Sequence, residues 1–244
     1  MGKIMLVTSG KGGTGKSTVA LNLSLSLAKE GKKAIVVELD SGLRCLDLML
    51  GIDNIVYDLG DILSGKCELQ EAVYEPEYQE GFSIIAAPAK SDYVISVSRF
   101  VSLCRYLSTV YDFVILDTPA GIGSALVAAV KAASHALVVT NLSPVSVRDA
   151  EKVTEFLKKS GLKRIRLVVN FVPLEFESKD EIADIDDIID TVGAQLIGII
   201  PEDKLFKKCV LLRTKKEIKK SIGNVAFENL AARVVGRDVE LLFK

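Results

Sequence analysis

The chain contains no tryptophan and a single histidine, His135. Histidine-clustered metal sites are thereby excluded, as is nucleophilic catalysis drawing on more than one histidine. Cysteine is sparse and scattered, with Cys45, Cys67, Cys104 and Cys209 forming no C-x-x-C pair. That spacing argues against a zinc knuckle, a redox dithiol or a disulfide scaffold. It matches a reducing cytoplasm, the compartment expected here, with the four thiols expected as small core hydrophobes. No apolar run is long enough to cross a bilayer, and glycine interrupts the opening residues too early for a signal peptide, so none is expected. Excess charge is lacking as well: 31 Lys and Arg against 32 Asp and Glu leave a net charge of −1. The whole chain therefore has no general attraction to nucleic acid or anionic lipid, and any such contact needs a local patch. What is present is ordinary for a globular chain: 244 residues, 49% hydrophobic and 26% charged. That length favours a single domain over residues 1–244.

Short apolar runs recur, bounded by turn or polar residues: Ile4–Thr8, Ala34–Leu39, Phe82–Ala86, Phe113–Leu116, Ala136–Val139, Ile165–Val169 and Leu196–Ile200. Most are continuous rather than alternating, as in strands buried on both faces of a parallel sheet. Helical stretches separate them, so the expected fold class is α/β, with a doubly wound, mostly parallel sheet flanked by helices. Ser143-Pro144 reads as a helix start and Gly161 as its stop. Leu21, Leu23, Leu25 and Leu27 alternate with polar residues, a strand-like period. Residues 16–30 are nevertheless assigned to a helix, because Gly31 supplies a stop and the preceding loop requires a helix after it. His135 is expected as a cap or surface residue beside a buried strand.

Charge segregates late in the chain. Glu175 to Asp190 holds eight acids and one base, and Lys204 to Lys220 holds eight bases and one acid. Solvated helix faces explain such runs most simply.

The chemistry is concentrated in Ser9-Gly10-Lys11-Gly12-Gly13-Thr14-Gly15-Lys16-Ser17-Thr18, which fits the phosphate-loop pattern G-x-x-x-x-G-K-[ST]. Chance alone yields such a match in about one chain of this length in a hundred, and its place between a strand and a helix lowers that rate further. Glycines let successive backbone N–H groups turn toward phosphate oxygens, and the helix N-terminus adds a positive field. Lys16 is expected on the β- and γ-phosphates and the Ser17 hydroxyl on Mg²⁺. Asp117 and Asp40 stand at or near the ends of buried strands, where ligands bind in open α/β sheets. Asp117 suits Mg²⁺ through a water, and Asp40 suits the orientation of an attacking water.

Lys11 is a second lysine that ordinary phosphate loops lack. With it, the loop reads K-G-G-x-G-K-[ST] and resembles that of the deviant Walker A ATPases, in particular the MinD/ParA family. The resemblance extends over nearly the whole chain. Val37-Glu38-Leu39-Asp40 and Gly42–Asp47 are similar to the first switch of the MinD branch, and Ile115–Ile122 to its Walker B element and second switch. Thr140-Asn141, Ser146–Ala150, Val169-Asn170 and Ile200–Asp203 follow the same pattern. Glu38 and Cys45 depart from it, standing where Asp and Asn are usual.

The resemblance implies an Mg-ATP-dependent switch that dimerises on ATP, hydrolyses it slowly and controls the position of a partner or a cellular structure. It implies that Lys11 reaches across the dimer to the other copy's phosphates. It also implies that Asn170, Pro201, Glu202 and Asp203 frame adenine. ATP is favoured over GTP, since no Asn-Lys-x-Asp element occurs. Two other functions share the fold: a ParA-like partition ATPase whose dimer binds DNA without sequence preference, and a redox ATPase of the nitrogenase iron-protein type. The second ranks last, because no cysteine follows Asp117 closely enough to bridge a cluster. A protein partner is expected first, peripheral contact with an anionic membrane second and DNA third. The C-terminal Gly236–Lys244 is short and carries Asp238 and Glu240, a weak case for a membrane helix.

Overall fold

The structure, a computed structural model, describes residues 1–41, 43–77, 79–174, 185–204 and 221–241. Gly42, Cys209, most of the acidic segment, all of the basic segment beyond Lys204 and the last three residues of the tail lie outside the described residues.

All seven apolar runs form strands: β1 (Lys3–Thr8), β2 (Ala34–Glu38), β3 (Phe82–Ile85), β4 (Phe113–Asp117), β5 (His135–Thr140), β6 (Ile165–Val172) and β7 (Gln195–Pro201). They pair in parallel in the order β3-β2-β4-β1-β5-β6-β7. Both faces of this sheet are covered, which is why the strands read as unbroken apolar runs. On one face lie α1 (Lys16–Lys29), α2 (Leu46–Leu50) and α8 (Ile222–Val235), packing Leu23, Leu27, Phe227 and Leu230 against Val7, Val36 and Ile115. On the other lie α3 (Leu59–Ser64), α4 (Val97–Val110), α5 (Ser124–Ala132), α6 (Pro144–Lys159) and α7 (Ile185–Val192), with Phe100, Leu126, Val153 and Ile188 against Leu6, Leu116 and Val138. A further 3₁₀ turn occupies Leu69–Glu71.

The alternating leucines do belong to a helix. α1 buries Leu21, Leu23, Ser24, Ser26 and Leu27 together, because it is wedged between the sheet and α8. Two-sided burial removes the pressure for a single apolar stripe, so the period misleads. Ser143 caps α6 with Pro144 at its first position, and Gly161 follows it at φ 87°.

Three details differ from expectation. β6 runs on to Val172 instead of ending at Val169. Of the three described cysteines only Cys104 is buried; Cys45 and Cys67 are half-exposed, since each sits outside the strands and long helices that make the core. His135 opens β5 rather than preceding it, its ring between Ser134 Oγ at 2.8 Å and an Arg164 guanidinium nitrogen at 3.3 Å. Partial burial first, then Arg164, Lys3 and Arg166, lower its pKa and favour the neutral imidazole. Among the described residues no helix is long and apolar enough to cross a membrane.

Candidate nucleotide site

β1 ends at Thr8 and α1 begins at Lys16, so the glycine-rich loop fills the gap at the carboxyl edge of the sheet's central strand. Gly13 and Gly15 take φ values of 80° and 83°, a region that residues with a Cβ avoid. Gly10 is required for another reason: a Cβ there would fall 2.2 Å from the Asp149 carbonyl group, where α6 crosses the loop. Ser9 Oγ donates to the Lys11 carbonyl at 3.0 Å and closes the turn. The next strand-end loop is tied in as well, with Gly121 N–H donating to Ser9 O at 2.8 Å and Thr118 Oγ1 to Val7 O at 3.0 Å.

The two loop lysines differ in burial. Lys16 is buried, with Nζ 2.9 Å from Asp117 Oδ1 and 3.2 Å from Ser17 Oγ. Lys11, with Gly12 and Gly13, is exposed at the rim. Thr14 is buried, while Ser17 and Thr18 are half-buried in the first turn of α1. Asp40 lies two residues beyond β2, close enough to feel both Lys16 and Asp117. Burial raises its pKa, Lys16 pulls it down and Asp117 pushes it up again. Asn170 is buried under the loop, and its Nδ2 donates to Thr14 O at 2.8 Å.

Pro201 closes β7 beside Val172, and the Glu202 N–H donates to Val172 O at 2.7 Å. Glu202 is exposed. The Asp203 carboxylate accepts from Gly223 N–H at 3.1 Å, so it also secures the first turn of α8. Gly10 to Thr18, Asp40, Asp117 and Asn170 therefore meet at one place, and the 201–203 turn lies one strand further along the sheet edge.

A cation fits this arrangement. Asp117 Oδ2 and Thr14 Oγ1 are buried beside the loop without a hydrogen-bond partner, and Asp117 already shares Lys16 with the Ser17 hydroxyl. Among the described residues no group of three or more His, Cys, Asp or Glu side chains forms a metal cage. Mg²⁺ suits such a sparse set, because it keeps waters and takes its other ligands from substrate phosphates. Ser17 would hold it directly and Asp117 through a water.

Glu38 is the residue whose part the sequence did not disclose. It pairs with Asp117 in the β2–β4 register and is fully buried. Its Oε1 accepts from Cys45 N–H at 2.6 Å and Leu46 N–H at 3.2 Å, and its Oε2 accepts from Ala87 N–H at 3.3 Å. One carboxylate thus anchors the start of α2 and the end of β3 to the strand beside Asp117. An acid at the end of the run Ala34–Leu39, otherwise wholly apolar, was the available signal. Cys45, next to Ser17 and Glu38, has its thiol pushed up to about 12 by burial and then by the Glu38 and Asp117 charges, against a hydrogen bond with Ser17. It is expected to resist alkylation by iodoacetamide at neutral pH, where the thiolate is the reactive form. Peptide mass spectrometry showing rapid Cys45 labelling would contradict this.

A family model described as ParA, NUBPL iron-transfer P-loop NTPase, matches residues 1–210. The septum site-determining protein MinD of Synechocystis is 35% identical over 250 residues, covering 99% of this chain and 92% of its own. The Bacillus subtilis protein of the same name is 33% identical, covering 99% and 92%. Among solved structures, MinD of the Aquifex aeolicus MinC:MinD cell division complex superposes with a TM-score of 0.90 at 30% identity over 98% of both chains. Pyrococcus horikoshii MinD, solved with Mg-ADP, gives 0.84 at 31% identity over 97% of both.

Proposed function

The chain belongs to the ParA/MinD family of P-loop ATPases and uses ATP with Mg²⁺, and from that premise we propose that it is a MinD-type switch whose ATP-bound form is a homodimer. The observation that carries this reading is the contrast between a buried and an exposed lysine in one loop. Lys16, buried on Asp117, serves the phosphates of its own loop. Lys11 stands exposed in the loop after β1, and apolar Leu43 and Ile122 on the loops after β2 and β4 and Val145 in the first turn of α6 are exposed as well. A charge so placed reaches phosphates across an interface and stabilises the negative charge that develops during transfer.

In this scheme the loop N–H groups and Lys16 bind and orient the triphosphate, with Ser17 and Asp117 holding Mg²⁺. Asp40 orients the attacking water by accepting one of its hydrogen bonds. Its raised pKa makes it a better proton acceptor than a free aspartate. Asn170 and the Pro201–Asp203 turn frame the base. Hydrolysis is slow because Lys11 completes the site only in the dimer. The output is a change in the exposed rim, which a protein partner reads. The Aquifex relative is solved with MinC, and a protein partner of that kind is proposed here in the cytoplasm.

Sedimentation velocity with Mg-ATP tests the scheme. Asp40→Ala is expected to bind ATP and accumulate dimers, Lys11→Ala to bind ATP and stay monomeric, and the wild type to fall between them. A monomeric Asp40→Ala protein saturated with ATP would overturn the dimer switch.

A further inference from the structure

We propose that Phe171 is the platform on which the nucleobase stacks, so that base recognition depends on an aromatic face beside the phosphate loop. The inference rests on the loop being the nucleotide site described above. Asn170 pairs with Ile200 and Val172 pairs with Pro201, which leaves Phe171 as the extra residue of a bulge in β6. Its φ is 59°, and among the described residues it is the one non-glycine with a positive φ. A residue with a Cβ holds that conformation only where its surroundings enforce it, and bulges near active sites commonly re-aim a side chain.

The burial pattern shows what the bulge achieves. Asn170 is 2% exposed and Val172 is 0% exposed, while Phe171 between them is 40% exposed. Asn170 therefore stays under the loop and Val172 stays in the core, with the ring of Phe171 turned outward. The ring does not point away from the site. A Cβ built on Gly15 would meet Phe171 Cζ at 3.0 Å and Cε2 at 3.3 Å, so the ring edge runs along the loop residue just before α1.

Phosphates seated on the loop direct the nucleoside into the crevice at the carboxyl ends of the strands, where β6 and β7 finish. Asn170 has one amide hydrogen committed to Thr14 O, which restricts what it offers a base edge. An exposed aromatic face supplies the remaining contact. Every base has a π-face, so stacking adds affinity for the base with little discrimination between adenine and guanine.

The chain has no tryptophan, so Phe171→Trp creates a single fluorescent reporter. Its emission is expected to be quenched by Mg-ADP and unaffected by Mg-tripolyphosphate, which has no base. Phe171→Ala and Phe171→Asn, the latter tolerant of positive φ, should weaken ADP binding roughly tenfold, corresponding to about 1.4 kcal/mol. Their affinity for tripolyphosphate should be unchanged. Equal losses for ADP and tripolyphosphate would mean that the ring supports the loop and not the base. Unchanged ADP affinity with an unquenched tryptophan would overturn the proposal and leave the ring to a protein contact. Failure of the wild type to bind either ligand would overturn the nucleotide site itself.

Discussion

Replacing Lys16 by Ala is expected to lower ATP affinity by roughly a hundredfold or more, since losing one partner of a buried charge-assisted contact costs about 2–5 kcal/mol. Isothermal titration calorimetry with Mg-ATP reads this directly, and unchanged affinity would remove the phosphate-loop assignment. The structure adds a second effect. Lys16 is the buried partner of Asp117, whose Oδ2 already has no hydrogen bond. Truncating Lys16 strands that carboxylate in the core, and breaking a buried pair costs about 3–5 kcal/mol. The variant is therefore expected to unfold at lower urea as well. Adding Asp117→Asn, which removes the stranded charge, should recover most of the lost stability and none of the lost ATP affinity. A double variant no more stable than Lys16→Ala would show that the pair contributes little to the fold.

Truncating Glu38 to Ala should destabilise the protein by on the order of 3 kcal/mol or more, because three backbone N–H groups lose their acceptor and a buried unpaired group costs about 1–3 kcal/mol. Urea unfolding followed by circular dichroism measures it, and a loss below about 1 kcal/mol would mean that water replaces the carboxylate. Glu38→Gln keeps the shape and one acceptor, so a smaller loss is expected. The charge also makes stability depend on pH. Burial raises the Glu38 pKa, with Asp117 adding to the effect and the three N–H groups opposing it. The folded chain thus holds this proton more tightly than the unfolded one. Its contribution is fully present below the ordinary glutamate range and is lost as pH rises through the raised value. Glu38→Gln should flatten that part of the stability profile, and an unchanged slope would assign it to other acids such as Asp40.

The strands were legible because burial on both faces leaves an unbroken apolar run, a purely local signal. The phosphate loop was legible because its chemistry lies in ten consecutive residues. Glu38 and Phe171 were not, for a common reason. The role of Glu38 depends on Cys45, Leu46 and Ala87, brought to it by the return of two other segments. The turned-out ring of Phe171 depends on how β7 pairs with β6, which periodicity within β6 cannot register. The strand-like period of the leucines in α1 has a related cause, since their burial is decided by α8, some two hundred residues on.

The strand order carries a consequence for how the molecule could be altered. β1, with its loop, divides the sheet: β4 and β2, bearing Asp117, Glu38 and Asp40, lie to one side, and β5, β6 and β7, leading to Asn170, Phe171 and Pro201, lie to the other. In the proposed scheme the groups that face the terminal phosphate are thus housed apart from those that hold the base, with β1 and its loop between them. The molecule is modular in that sense. If that scheme holds, exchanging the chain from β6 onward with that of a relative should change nucleotide affinity while the rate of ATP hydrolysis at saturation stays that of the N-terminal half.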